Sequence, residues 1–106
     1  SKSDPMCVLS QQDANGNWVK LGHTEWQKNE KNPKFVTKLK MEYTFEVKQK
    51  LQFLIVDVDD PDDLSKVNEL GKIECTMGQI AGARHCKLTR ELEGSKPGKY
   101  GTIHVL

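Results

Sequence analysis

Alternation of apolar and polar residues with a period of two runs through this chain and limits it to a β-rich fold. The longest example is the range 34–48, where one parity is largely apolar and the other is mostly charged. The apolar parity consists of Phe35, Thr37, Leu39, Met41, Tyr43, Phe45 and Val47. Successive side chains of a strand point to opposite faces, so this pattern predicts a long strand with one buried face and one wet face.

Other, shorter stretches that contain apolar residues predict further strands separated by turns. They are Met6–Gln12, Trp18–Trp26, Leu51–Val58, Gly71–Met77, His85–Leu88 and Tyr100–Leu106. The dipeptide Asn15-Gly16 predicts a hairpin turn between the first two, because both residues accept positive φ angles. Gln49 and Lys50 form a tight polar join before the strand at Leu51. Since no helical period of any length interrupts these strands, the pattern predicts an all-β fold, an antiparallel β-sandwich.

Length and composition limit the number of domains and the classes of function that this chain can have. Its 106 residues suffice for one domain, 1–106, and 36% apolar residues suit a small core. A net charge of +1 produces no overall positive potential that would attract nucleic acid. The lysines are also interleaved with acidic residues, so they form no basic patch in the sequence. No apolar run approaches the roughly 18 residues of a membrane-spanning helix. The three cysteines show neither zinc nor redox spacing, which indicates a reducing, cytoplasmic setting.

A run of carboxylates lies at the end of the strand predicted over Leu51–Val58. Five aspartates occupy the seven positions from 57 to 63. Asp57 and Asp59 are two apart on an extended segment, so both point to the same side. A second acidic turn surrounds Asp4. If the fold brings the two turns together, their oxygen ligands suit calcium; if it does not, the run is an ordinary solvated loop.

Several short motifs together resemble a C2 domain, and most closely the first C2 domain of a copine. They are Ser1–Pro5, His23–Glu25, Asn32–Phe35, Tyr43–Glu46, Gln49–Leu51, Asp57–Asp59, Asn68–Gly71 and Glu74–Ile80. The resemblance implies a Greek-key sandwich of seven or eight antiparallel strands. The first strand of the family, with an earlier aspartate, would lie before Ser1, so we expect a domain that is incomplete at its N-terminus.

The resemblance also implies a calcium site between the loops at one end of the sandwich. By position, Asp4 matches the aspartate of the first loop, and Asp57 and Asp59 match those at the end of the later strand. Ser65 matches a serine of that loop, while Asn68 stands where the family carries a further aspartate. We expect these five residues to be the metal ligands, with one negative charge fewer than the family pattern.

Additional residues near these loops and on one strand are candidates for further contacts. Asp60 is expected to add a ligand or to shape the loop, and Leu64, near the loop apex, to insert shallowly into a lipid interface. Lys38 and Lys40 lie on the polar face of the strand predicted over 34–48, where C2 domains bind phosphoinositide headgroups. Their ordinary role as solubilising surface residues stays open as the alternative.

The function expected from the resemblance is calcium-dependent binding to anionic phospholipid, which recruits a cytoplasmic protein peripherally to membranes. The alternative is a protein-interaction domain that does not use calcium, favoured by Asn68. An open sheet edge in place of the absent first strand also favours protein partners, and a strand-exchanged or edge-paired oligomer. Catalysis is not expected, because the sequence shows no nucleophile–base pair and no glycine-rich phosphate loop.

Overall fold

Strands make up most of the regular structure of this domain, with a long connection over 24–49 between the second and third strands and one short helix among the described residues. A computed structural model describes residues 4–30, 32–41, 44, 47–60, 62–63, 65–83, 88–91 and 102–105. The elements are β1 (Pro5–Gln12), β2 (Trp18–His23), β3 (Lys50–Val58), β4 (Val67–Thr76), α1 (Met77–Gly82), β5 (Leu88–Glu91) and β6 (Thr102–Val105). None of the helical residues described forms a helix long and apolar enough to cross a membrane.

The main sheet has four strands in the order β2-β1-β3-β4, and β5 and β6 form a two-stranded sheet. All of the pairings are antiparallel, so the predicted all-β antiparallel class is confirmed. β1 lies in the interior of the main sheet, with β2 on one side and β3 on the other. This arrangement brings the beginning of β1 beside the end of β3.

Both faces of the main sheet bury apolar side chains. Alternate residues of β3 divide between two clusters, because a strand points successive side chains to opposite faces. One cluster contains Leu9, Leu51, Cys75 and Ile80, and the other contains Met6, Val56 and Val58. The β3–β4 register shifts between Ile55 and Val56, and both of these neighbours are buried. The sheet is therefore the rigid support for the loops at its ends.

The turn between β1 and β2 lies where the sequence predicts it. Gly16 has a φ of 84°, and its amide donates to the carbonyl oxygen of Asp13 at 3.1 Å. Asn15 does not share this conformation, since its φ is not positive, so the expectation of two positive φ angles is wrong at that residue. Instead, Asp13 Oδ1 accepts hydrogen bonds from the amides of Asn15 and Asn17, both at 2.9 Å.

The prediction of a strand over 34–48 is wrong for the residues of this range that the structure describes. No strand pairing includes residues 34–41, although the alternation survives in the burial of the side chains. Leu39 and Met41 are half-buried, whereas Lys38 and Lys40 are exposed. Periodicity reports which face is buried, but it does not supply a neighbouring backbone. Residues 44, 47 and 48 also lie in no strand, and positions 42–43 and 45–46 lie outside the described residues.

Other boundaries differ from prediction by a few residues. β2 ends at His23 rather than Trp26. Beyond it the buried Thr24 hydroxyl, in place of a backbone carbonyl, accepts the amide hydrogen of Cys7 at 2.9 Å, while the Thr24 amide still donates to the carbonyl oxygen of Cys7 at 2.8 Å. β4 runs from Val67 to Thr76 rather than over Gly71–Met77. The final predicted strand is confirmed at Thr102–Val105. Of the strand predicted at His85–Leu88, positions 85–87 lie outside the described residues, and β5 begins at its last residue.

The helix α1 was not predicted at all. It has only six residues and begins with a capping box. Thr76 Oγ1 accepts the amide hydrogen of Gln79 at 3.1 Å, and Gln79 Oε1 accepts that of Thr76 at 2.9 Å. A single turn and a half is too short to show a helical period, but the Thr-x-x-Gln spacing is a recognisable start signal.

Candidate cation site at the end of the main sheet

Three chain segments with candidate ligands meet at one end of the main sheet. In the strand register, Pro5 pairs with Asp57, and Asp57 pairs in turn with Asn68. β1 begins at this end, β3 finishes there, and β4 starts there after the acidic loop. Antiparallel pairing therefore places Asp4, Asp57 and Asn68 in adjacent rows, and Asp59 follows directly after β3.

Asp57 ties the first residue of this set to the end of β3. Its Oδ1 accepts a hydrogen bond from the amide of Asp4 at 2.9 Å, and the amide of Val58 donates to the carbonyl oxygen of Asp4 at 3.0 Å. Asp4 and Asp57 are both half-buried. These two hydrogen bonds therefore extend the pairing of β1 with β3 by one residue, to Asp4, at the loop end of the sheet.

The Asp4 side chain joins a further loop to this end of the sheet. Its Oδ1 accepts the amide hydrogen of Asn29 at 2.7 Å. Asn29 has a φ of 53°, in the left-handed region that asparagine tolerates better than most residues. Sequence reasoning missed Asn29. The only available signal was an asparagine in a polar stretch that ends a strand.

A side-chain hydrogen bond between Asp59 and Asn68 joins the two ends of the acidic loop. Asn68 Nδ2 donates to Asp59 Oδ2 at 2.9 Å, and both side chains are exposed. The amide of Asp59 also donates to the carbonyl oxygen of Lys66 at 3.3 Å. An aspartate at position 68 would repel Asp59, whereas the asparagine amide donates a hydrogen bond to it.

The acidic loop between β3 and β4 is stabilised by its own aspartates. Asp60 Oδ1 accepts the amide hydrogen of Asp62 at 3.0 Å. Asp63 Oδ1 accepts the hydroxyl of Ser65 at 2.6 Å and its amide at 3.1 Å, and these bonds lower the pKa of Asp63 below its ordinary value. Ser65, expected to be a metal ligand, is thus hydrogen-bonded to Asp63. Leu64 lies outside the described residues.

The model of the C2 domain family matches residues 1–92 of this chain. The chain belongs to the C2 domain family. C2 domains are binding and targeting modules, and many of them bind calcium, phospholipid membranes or other proteins. The match agrees with the antiparallel strands of the structure.

The oxygen donors of this C2 domain suit a hard divalent cation by their chemistry. Carboxylate, hydroxyl and side-chain amide oxygens are the ligands that calcium prefers. Among the residues that the structure describes, however, no three aspartate, glutamate, histidine or cysteine side chains gather closely enough to hold a metal ion. Hydrogen bonds instead join Asp4 to Asp57 and Asp59 to Asn68, so binding would require these side chains to rearrange.

A separate carboxylate holds the segment 34–41 against this end of the C2 domain. Glu25 accepts the amide hydrogens of Val36 at 2.8 Å and Thr37 at 3.1 Å, and that of the Gln27 side chain at 3.0 Å. Desolvation would raise the pKa of Glu25, but these hydrogen bonds outweigh it and lower the pKa to about 2. The Glu25 amide also donates to Thr37 Oγ1 at 3.2 Å.

Lys38 and Lys40 lie on a part of the segment that runs away from the candidate site. Their neighbours Leu39 and Met41 pack in the cluster that contains Leu51. Leu51 is six residues before Asp57 on β3, which is about 20 Å at the usual rise of a strand. The two lysines therefore follow the side of the domain rather than its loop end.

Proposed function

We propose that this C2 domain is a calcium-dependent phospholipid-binding module that targets a cytoplasmic protein to anionic membranes. The observation that carries the proposal is the register Pro5–Asp57–Asn68, which gathers candidate ligands from separate parts of the chain at one end of the sheet. The family membership supports it. The copine-like motifs Tyr43–Glu46, Gln49–Leu51 and Glu74–Ile80 extend it to the proposal that the domain is the first C2 domain of a copine-like protein.

In this proposal Asp4, Asp57 and Asp59 supply the charged ligands. Ser65 and Asn68 offer neutral oxygens, and Asp60 offers a further carboxylate. A bound calcium ion supplies positive charge and coordination positions that lipid phosphate oxygens can fill. Without it, the aspartates of the loop repel an anionic bilayer. The protein's part is to hold the carboxylates at a rigid sheet end and to exchange their hydrogen bonds for metal coordination.

The contribution of the remaining candidates to lipid contact stays a prediction. Leu64 is expected to insert into the interface once the acidic charge is neutralised. Lys38 and Lys40 are expected to attract headgroups when the domain tilts its side toward the bilayer. Binding is proposed rather than catalysis, since the candidate side chains are oxygen ligands and C2 domains are typically non-enzymatic.

The experiment that tests this function is co-sedimentation of the chain with phosphatidylserine vesicles across a calcium titration. We expect the chain to pellet with the vesicles as calcium rises and to stay in the supernatant in chelator. Replacing Asp57→Asn together with Asp59→Asn should abolish the calcium-dependent pelleting. Vesicles of phosphatidylcholine alone should not pellet the chain, because they lack net negative charge.

A matched control removes the same charge from elsewhere on the domain. Glu69→Gln with Glu74→Gln changes two exposed residues of β4, and this pair should leave calcium-dependent pelleting unchanged. Absence of pelleting by the folded wild-type chain at millimolar calcium would contradict the proposal.

The second candidate function is a protein-interaction domain that works without calcium. The observation in its favour is that Asp59 accepts a hydrogen bond from the neutral Asn68 side chain, which relieves its charge without a cation. Equal binding of a partner protein in calcium and in chelator would support this function. Loss of that binding in chelator would count against it.

A further inference from the structure

We infer that calcium bound at Asp4 loosens the hold of the domain on residues 34–37, and that the loop 25–29 transmits this effect. The coupling depends on the proposed function, because Asp4 must be a calcium ligand for it to operate. A continuous run of hydrogen bonds leads from the Asp4 carboxylate through the loop to this segment. Calcium at the end of the sheet would therefore also act on the side of the domain where the segment lies.

Two hydrogen bonds hold the loop 25–29 on the residues that open β1. The amide of Asn29 donates to Asp4 Oδ1 at 2.7 Å, and the amide of Gln27 donates to the carbonyl oxygen of Pro5 at 3.0 Å. Asn29 has a φ of 53°, which few residues other than glycine adopt. The bond to Asp4 therefore helps to hold Asn29 in this conformation.

The Gln27 side chain connects this loop to the segment beyond it. Its Nε2 donates to the carbonyl oxygen of Lys34 at 2.9 Å and to Glu25 Oε2 at 3.0 Å. Glu25 in turn accepts the amide hydrogens of Val36 at 2.8 Å and Thr37 at 3.1 Å. Because the backbone of Gln27 is held on β1 and its side chain contacts the segment, a movement of the loop is passed on.

A cation at Asp4 weakens the first hydrogen bond of this run. Bonds from an amide to a charged carboxylate are shorter than neutral ones and about twice as strong, and the bond between Asn29 and Asp4 is 2.7 Å long. A divalent cation takes up the negative charge of the carboxylate, so Asp4 becomes a weaker acceptor for this amide. The loop is then held less firmly on β1, and the Gln27 side chain with it.

Hydrogen exchange of single backbone amides, measured by NMR in chelator and in saturating calcium, tests this coupling. We expect calcium to speed exchange at Asn29, Val36 and Thr37 by about fivefold or more, the lower end of ordinary coupling between sites. The amide of the buried Val56 should exchange no faster, since a ligand that binds the folded state stabilises it. Asp4→Asn should speed exchange at the same three amides in chelator, because a neutral acceptor replaces the carboxylate.

Gln27→Met tests the route without changing the charge of the domain. The variant loses the side-chain donor but keeps the backbone amide that bonds to β1. Calcium should therefore still shift the NMR signals of Asp57 and Asp59, whereas exchange at Val36 and Thr37 should no longer respond to calcium.

The matched control is Gln12→Met, at the other end of β1. Gln12 Nε2 also donates to a backbone carbonyl oxygen, that of Gly16, at 3.1 Å. Because this bond lies in the turn between β1 and β2, its loss should leave the response of Val36 and Thr37 to calcium as in wild type.

Three results would overturn the coupling. Saturable calcium shifts at Asp57 and Asp59 with unchanged or slower exchange at Val36 and Thr37 would overturn it and leave the proposed function standing. A full response of these two amides in Gln27→Met would show that the loop is not the route. No saturable shift at Asp57 and Asp59 would overturn the proposed function and the coupling together.

Discussion

Asn68 is expected to set the balance between the calcium-free and the calcium-bound forms proposed for this C2 domain. Its amide donates to Asp59 at 2.9 Å, so the two side chains attract each other without a metal ion. An aspartate at this position would instead add a charge beside Asp59. The same residue that stabilises the loop without calcium is therefore expected to weaken its affinity for calcium.

Replacing Asn68→Asp should separate these two effects. In chelator the variant should be less stable than wild type by about 1 kcal/mol, because it loses one hydrogen bond and gains a like-charge contact. With saturating calcium it should gain more stability than wild type, since a ligand that binds only the folded state stabilises it in proportion to its affinity. Thermal unfolding with and without calcium measures both changes, and a calcium-induced shift no larger than that of wild type would contradict the account.

Thr24 joins the chain after β2 to β1. Its side chain is buried, accepts the amide hydrogen of Cys7 at 2.9 Å and donates to the carbonyl oxygen of Glu25 at 2.9 Å. Thr24→Val keeps the shape but leaves these groups unpaired, so we expect a loss of about 1–3 kcal/mol in urea unfolding. Thr37→Val, at an exposed threonine, is the control and should cost less than about 1 kcal/mol. Equal costs would show that burial does not decide the effect.

At the scale of single elements, Glu25 links the loop after β2 to the segment 34–41. Its folded pKa of about 2 lies below the ordinary value of 4.5. The ionised carboxylate therefore contributes stability that is fully present above pH 4.5 and is lost as the pH falls toward 2. The hydrogen bonds that Val36 and Thr37 donate to Glu25 should weaken in that pH range, while Leu39 and Met41 stay packed on the core.

Glu25→Gln should lower the stability of the domain at neutral pH, because the amide carries no charge to hold the two backbone amides. The difference from wild type should shrink steadily as the pH falls from about 4.5 toward 2. Urea unfolding at a series of pH values measures this difference in stability. Glu69→Gln, at an exposed residue of β4, is the control for the loss of one carboxylate. A difference that stays constant over this range would rule out the Glu25 carboxylate as the linking group.

The elements that sequence reasoning predicted well are those whose side-chain pattern and turn chemistry agree. β1 and β3 follow from short runs rich in apolar residues, and the turn follows from Gly16, which accepts positive φ. The segment 34–41 alternates as a strand does, but pairing also needs a neighbouring backbone, which a local pattern does not report. α1 depends on a capping box and a single turn and a half, which is too short for a period.

At the scale of the whole molecule, the sheet register turns separate sequence motifs into one candidate site. Asp4 lies 53 residues from Asp57 in the chain, yet its amide donates to that carboxylate at 2.9 Å. The sequence left open whether the two acidic turns come together, and the pairing of Pro5 with Asp57 brings them to the same end of the sheet. The hydrogen bonds that pair Asp59 with Asn68 and Asp63 with Ser65 were not predicted from the sequence, because local loop geometry decides between several nearby acceptors.

The most direct test of the central claim is a calcium titration followed by the backbone amide NMR signals of the chain. We expect saturable shifts at five residues whose hydrogen bonds must rearrange for the carboxylates to bind a cation: Asp4, Asn29, Asp57, Asp59 and Asn68. Signals of Asn15 and Gly16, in the turn between β1 and β2, should stay unchanged, and Asp57→Asn with Asp59→Asn should abolish the shifts. No saturable change at these residues in millimolar calcium, from a folded chain, would contradict the claim that this end of the sheet is a calcium site.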